Sequence, residues 1–100
     1  MYVVVARYYT LDGAADEVLG HLRKVLPPSR SEPGCRTYTV NQSVDDPRRI
    51  ILYEEYDDEA AFQEHASQAY FADIVRTKIW PLLESRERDI LRSIDPLPIS

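Results

Sequence analysis

The sequence predicts an α+β domain of order βαββαβ, a four-stranded antiparallel sheet with both helices on one face, the ferredoxin-like pattern. Three observations carry that expectation. Runs rich in β-branched and aromatic residues recur at 2–9, 35–43 and 48–56. Apolar residues recur at helical spacing in 14–26 and again beyond residue 57. Clusters of Pro, Gly and Asp separate these segments. In the expected topology the first and third strands are parallel neighbours at the centre of the sheet.

The first strand is "YVVVARYY" (2–9). In "AADEVLGHLRKVL" (14–26), Val18, Leu22, Val25 and Leu26 form one apolar face, with Asp12 as the expected N-cap. Asp16 and Glu17 suit the positive end of the helix dipole. Pro27 and Pro28 are expected to end or kink that helix. "SEPGC" then predicts a type II turn, with Pro33 fixing the first φ and Gly34 taking a positive one, into a second strand over 35–43. "VDDP" (44–47) turns the chain into a third strand, 48–56, so that 35–56 is a hairpin. From residue 57 the pattern is helical, in one kinked piece or two, capped by Asp57 or Asp58. Phe62, His65, Ala66 and Ala69 share one face, followed by Phe71, Ile74, Val75, Ile79 and Leu82. Pro81 ends or bends this segment, and Trp80 before it reads as a core anchor. "RERDILRSI" (86–94) is the last strand, and 95–100 an extended tail.

At 100 residues the chain is a single domain, 1–100, without a stretch long enough to span a bilayer. A net charge of −5, with basic residues scattered among acidic ones, argues against nucleic acid as a partner. The start reads as a first strand, with no basic segment and cleavage pattern of a signal peptide. One cysteine makes no internal disulfide and fits a reducing, cytoplasmic setting. "YVVVA" and "IILY" are apolar on both faces of the sheet, although two helices cover only one. The economical cover is the same face of a second copy, which predicts a homodimer packed sheet to sheet.

Few residues carry chemistry. His65 lies on an apolar helix face, where it is either a core histidine with one hydrogen bond or a base that titrates near neutrality. Arg7 and Glu54 fall within apolar strands and are expected to form a buried ion pair; the alternative has Arg7 holding a substrate oxyanion. Cys35 reads as a small buried residue instead of a reactive thiol. Gly13, Gly20 and Gly34 make no phosphate loop, and two distant histidines make no metal site.

"EPGC" before a strand carrying Tyr38, "DDP" in the hairpin turn and "EEYDDEAAFQEH", in this order and spacing, resemble the antibiotic biosynthesis monooxygenase family. The resemblance implies a dimeric α+β barrel with a pocket between each sheet and its own helices. It implies oxidation of small electron-rich aromatics (quinols, naphthols, anthrones) by molecular oxygen, with no metal, haem or flavin. It makes His65 the catalytic candidate and Tyr56, Arg7, Glu54, Phe62, Tyr70 and Tyr38 the substrate-binding candidates. Tyr56 stands where the family often has tryptophan, and Tyr70 where it has a second histidine. Ala6 and Arg7 stand where the haem-degrading branch has asparagine, which weighs against haem degradation. The mechanism expected is deprotonation of the substrate, followed by direct reduction of oxygen in a dry pocket. The rival readings are an isomerase of a small oxygenated metabolite and a non-catalytic ligand-binding dimer.

Overall fold

A computed structural model describes residues 1–94, so the expected tail at 95–100 lies outside the described residues. The order is β1 (Tyr2–Thr10), α1 (Ala15–Ser31), β2 (Cys35–Gln42), β3 (Arg49–Tyr56), α2 (Glu59–Ala66), a π-helix (Phe71–Ile79), a 3-10 turn (Trp80–Leu82) and β4 (Leu83–Arg92). The strands form one sheet in the order β2-β3-β1-β4, and every neighbouring pair is antiparallel. This corrects the expected parallel pairing of the first and third strands. The α1 crossover returns β2 parallel to β1, and the hairpin then reverses β3, which slots between them antiparallel to both.

Strand alternation sorts the side chains. Val4, Ala6, Tyr8 and Thr10 of β1, with Ile50, Leu52, Glu54 and Tyr56 of β3, face the helices and are buried. Val18, Leu22 and Val25 of α1 and Val75 and Ile79 of the π-helix close over them. Val4, Tyr56 and Phe62 form a second cluster towards α2. Val3, Val5, Arg7 and Tyr9 point to the other face, which no helix covers.

Local details depart from expectation where tertiary contacts intervene. The α1 helix runs through Pro27 and Pro28 to Ser31. The carbonyls that lose their donors belong to Arg23 and Lys24, both solvent-exposed residues, while the Ser29 and Ser31 hydroxyls donate back to the Val25 and Pro27 carbonyls at 2.7 and 3.0 Å. Asp12 is not the cap. A tight turn, with Gly13 at φ 78°, makes Ala14 the N-cap, without a side-chain bond. Asp58, not Asp57, caps α2, accepting from the Ala61 N–H at 2.9 Å. Asp57 instead holds Arg36 with two bonds.

The turn into β2 closes as expected, the Cys35 N–H donating to the Glu32 carbonyl at 3.1 Å, but it is not type II, since Gly34 does not have a positive φ. Glycine is required there for space. A Cβ on Gly34 would sit 2.5 Å from the Ala61 Cβ of α2. The turn thus brings the end of α1 close to the start of α2, the junction on which the site is built.

Candidate active site

Because β3 alternates, Glu54 must point to the helix side, where it is 4 % exposed between apolar neighbours. Register makes the expected Arg7–Glu54 pair impossible: Glu54 lies opposite Val4, whereas Arg7 lies opposite Ile51 on the uncovered face. Arg7 is exposed and pairs with Asp89 of β4. The pair is therefore absent, and Arg7 points away from the helix side of the sheet. Glu54 keeps its burial by other means. The Tyr56 hydroxyl donates to its Oε1 at 2.6 Å, and His65 Nε2 stands 4.0 Å from the same oxygen.

Burial pushes the Glu54 carboxyl up to about 7, with Glu32 adding to the rise and the Tyr56 bond and Arg88 opposing it. The Tyr56 and Tyr38 phenols are driven well above the ordinary range by burial first and Glu54 second. Neither ionises near neutrality. Cys35 is half-buried, its thiol raised to about 11 by burial and nearby carboxylates, so it is no nucleophile.

His65 is 1 % exposed and bridges two acids. Its Nδ1 lies 3.0 Å from Glu32 Oε2, while Nε2 faces Glu54. The two carboxylates thus meet opposite sides of the ring and do not converge on one point, as metal ligands would. Glu32 is the residue that ends α1, with extended backbone, and the tight Gly34 turn carries it against α2. Tyr70 donates to the same Glu32 oxygen, and the Ser29 and Tyr70 hydroxyls are 3.4 Å apart. Glu54, His65, Glu32 and Tyr70 therefore make a largely buried polar cluster from the sheet to the end of α1.

A cavity of about 170 Å³ opens between the sheet, the helices and β4. Val4, Ala6, Tyr8, Tyr38, Leu52 and Glu54 form its floor, Phe62 and Ala66 of α2 one wall, and Phe71, Val75, Arg76 and Trp80 the other. Residues Arg86 to Arg88 of β4 border it. Backbone hydrogen bonding in the π-helix runs five residues back, as in the bond from the Trp80 N–H to the Val75 carbonyl that closes it. That wider turn aligns Phe71, Val75, Arg76 and Trp80 on the cavity side.

Of the residues singled out in the sequence, Glu54, Phe62 and Tyr38 line the cavity. Tyr56, His65 and Tyr70 pack behind Glu54 and do not line it. Sequence reasoning missed Glu32, for which no local pattern existed. It also missed the arginines of β4, although the alternation Arg86, Arg88, Ile90 in "RERDI" was a readable period-two signal.

The model of the family described as antibiotic biosynthesis monooxygenase matches residues 1–77. The chain belongs to that family. Among individual proteins, Rv0793 of Mycobacterium tuberculosis, described as a candidate monooxygenase, is 29% identical over 80 residues, covering 80% of this chain and 77% of its own. The solved structure of Rv0793 superposes with a TM-score of 0.87, at 26% identity, covering 97% of this chain and 98% of that one. SO0527 of Shewanella oneidensis superposes at 0.85, with 30% identity, covering 90% and 87% of the two chains. PA3566 of Pseudomonas aeruginosa gives 0.86, with 26% identity and 92% of each chain covered. As a member of this family, the chain carries its α+β ferredoxin-like fold.

Proposed function

We propose that this protein is a monooxygenase that oxidises a small electron-rich aromatic, of quinol, naphthol or anthrone type, with molecular oxygen and no metal, haem or flavin. The observation that carries this reading is a buried carboxyl, Glu54, poised near pH 7 in a cavity floor whose other residues are aromatic and aliphatic. Such a group accepts a proton from a phenol or an activated C–H without help from bulk water. Glu54 thus takes the role of base that the sequence suggested for His65. His65 holds Glu54 in place, and with Tyr56 fixes which oxygen faces the cavity.

In the reaction, carboxylate Glu54 takes the proton and leaves an electron-rich anion. One electron passes from that anion to oxygen, and the two radicals combine into a peroxide at a ring carbon. Protonated Glu54 returns its proton to the peroxide, and loss of water from the resulting hydroperoxide leaves a carbonyl and Glu54 as carboxylate again. One oxygen atom enters the product, the other leaves as water, and the substrate gives up four electrons. The aromatic walls (Phe62, Phe71, Trp80) orient the ring and exclude water. Oxygen uptake on a panel of these aromatics, above the spontaneous rate, is the expected result. Turnover without oxygen consumption identifies an isomerase instead, and no turnover of any kind overturns the enzymatic reading.

The working form in this proposal is a homodimer in a reducing, cytoplasmic setting. Its support is the uncovered sheet face, where Val5 and Ile51 are only partly covered and Tyr53 and Leu91 are 36 % and 49 % exposed. A second copy laid on that face shields all four. Light scattering after size exclusion at micromolar concentration is expected to give twice the 11.6 kDa chain mass; a well-folded monomer contradicts the dimer. Among the described residues no helix is long and apolar enough to cross a membrane.

A further inference from the structure

We propose that the substrate carries a carboxylate or similar planar anion beside its aromatic ring, received by Arg86 and Arg88 with Arg76 at the mouth of the cavity. The inference rests on the reading of this cavity as an aromatic-substrate site, and names the class of substrate that it takes.

Three arginines border one small cavity. The chain holds 17 acidic residues against 12 lysines and arginines, so most basic side chains have carboxylates to hand. Arg7, Arg36 and Arg48 each have such a partner. None of Arg76, Arg86 and Arg88 forms an ion pair among the described residues. They are held instead by ring faces of the cavity wall. The Arg86 guanidinium carbon lies 3.5 Å from the centre of the Trp80 ring, the Arg76 one 5.2 Å from that of Phe71, and the Arg88 one 5.6 Å from that of Phe62.

A guanidinium held against a ring uses its face for that contact and leaves the N–H donors around its edge unspent. Those donors match a planar carboxylate two at a time. The rings that support the arginines are also the rings that would flank an aromatic substrate, so its anion and its ring would meet one continuous surface. Their charges reach inward: burial raises both the Glu54 carboxyl and the Tyr8 phenol, and Arg88 opposes the first rise while Arg86 opposes the second. Two acids, Glu54 and Glu87, also line the cavity, leaving the arginines in excess even with both ionised. Glu54 on the floor and the arginines at the rim thus divide the work, one taking the proton and the others anchoring the anion.

Naphthalene-2-carboxylate and naphthalene-2-carboxamide have the same shape and no phenol, so their binding is independent of whether the protein oxidises anything. Calorimetric titration gives the affinities. Quenching of Trp80, the only tryptophan of the chain, reports occupancy of this cavity. The carboxylate is expected to bind at least about tenfold more tightly than the amide, the weight of a charge-assisted pair. In Arg86→Gln and Arg88→Gln that advantage is expected to shrink while amide affinity holds. Equal affinities, an advantage that survives both substitutions together, or binding of neither probe each overturn the proposal. Failure to consume oxygen with any aromatic, alongside the expected probe preference, would overturn the oxygenase reading and leave the anion site standing.

Discussion

Glu54→Gln is expected to abolish turnover while leaving the fold intact. The amide keeps the shape of the side chain and can still accept the Tyr56 hydrogen bond, but it takes no proton. Oxygen uptake at saturating substrate should fall roughly 10²–10⁴-fold, the usual weight of a general base. Stability should move the other way. The folded carboxyl titrates at about 7 against an ordinary 4.5. A raised carboxyl favours the folded state most below the unfolded value, and that contribution is lost as pH rises through about 7. At pH 8 the ionised, buried Glu54 therefore costs on the order of 3 kcal/mol, given about 1.4 kcal/mol per pKa unit. The glutamine variant escapes that cost and should be the more stable protein at pH 8. Denaturant melts at pH 5 and pH 8 measure it. A variant that is less stable than the parent at pH 8, or fully active, contradicts the assignment.

His65→Ala is expected to be the most damaging single truncation in the site. The ring is almost fully buried, fills the space between Tyr38, Tyr56 and Phe71, and lies against two carboxylates. Its removal leaves a void and takes a partner from Glu32, at a cost of roughly 3 kcal/mol. Chemical denaturation reads that loss. His65→Gln separates support from catalysis, because the amide can still donate to Glu32 but has no basic nitrogen to take a proton. If Glu54 is the base, this variant should keep most of its activity wherever Glu54 is ionised. A loss of 10²-fold or more at every pH would return the role of base to His65.

The elements were legible in the sequence because each was specified locally. Runs rich in β-branched and aromatic residues marked β1, β2 and β3, and the Val18–Leu22–Val25 stripe marked α1. Phase along the strands was legible too, yet it was not used at Arg7 and Glu54. Both are charged residues in apolar strands, but their facing depends on register across β1 and β3, which no single strand contains. Proline at 27 and 28 misled for a similar reason: the helix survives because the carbonyls that the prolines leave open belong to solvent-exposed Arg23 and Lys24, and two serine hydroxyls add bonds in the turn that follows. Gly34 was rightly singled out for the wrong property, since its need is the approach of Ala61, a contact between residues 27 positions apart. Glu32 was invisible because its partner His65 comes from another helix. The π-helix, which sets the cavity wall, differs from an α-helix by one hydrogen-bond step that apolar spacing alone does not resolve.

The rate of oxygen uptake as a function of pH, in the parent protein and in Glu54→Gln side by side, tests the central claim most directly. With Glu54 as the base, the active form is the carboxylate, so the parent rate should climb as pH rises through an apparent pKa near 7 and level off above it. The glutamine variant should show only the slow uptake set by the substrate's own ionisation. A parent profile that is flat across this range, or a rise that Glu54→Gln reproduces at the same rate and midpoint, would contradict the account.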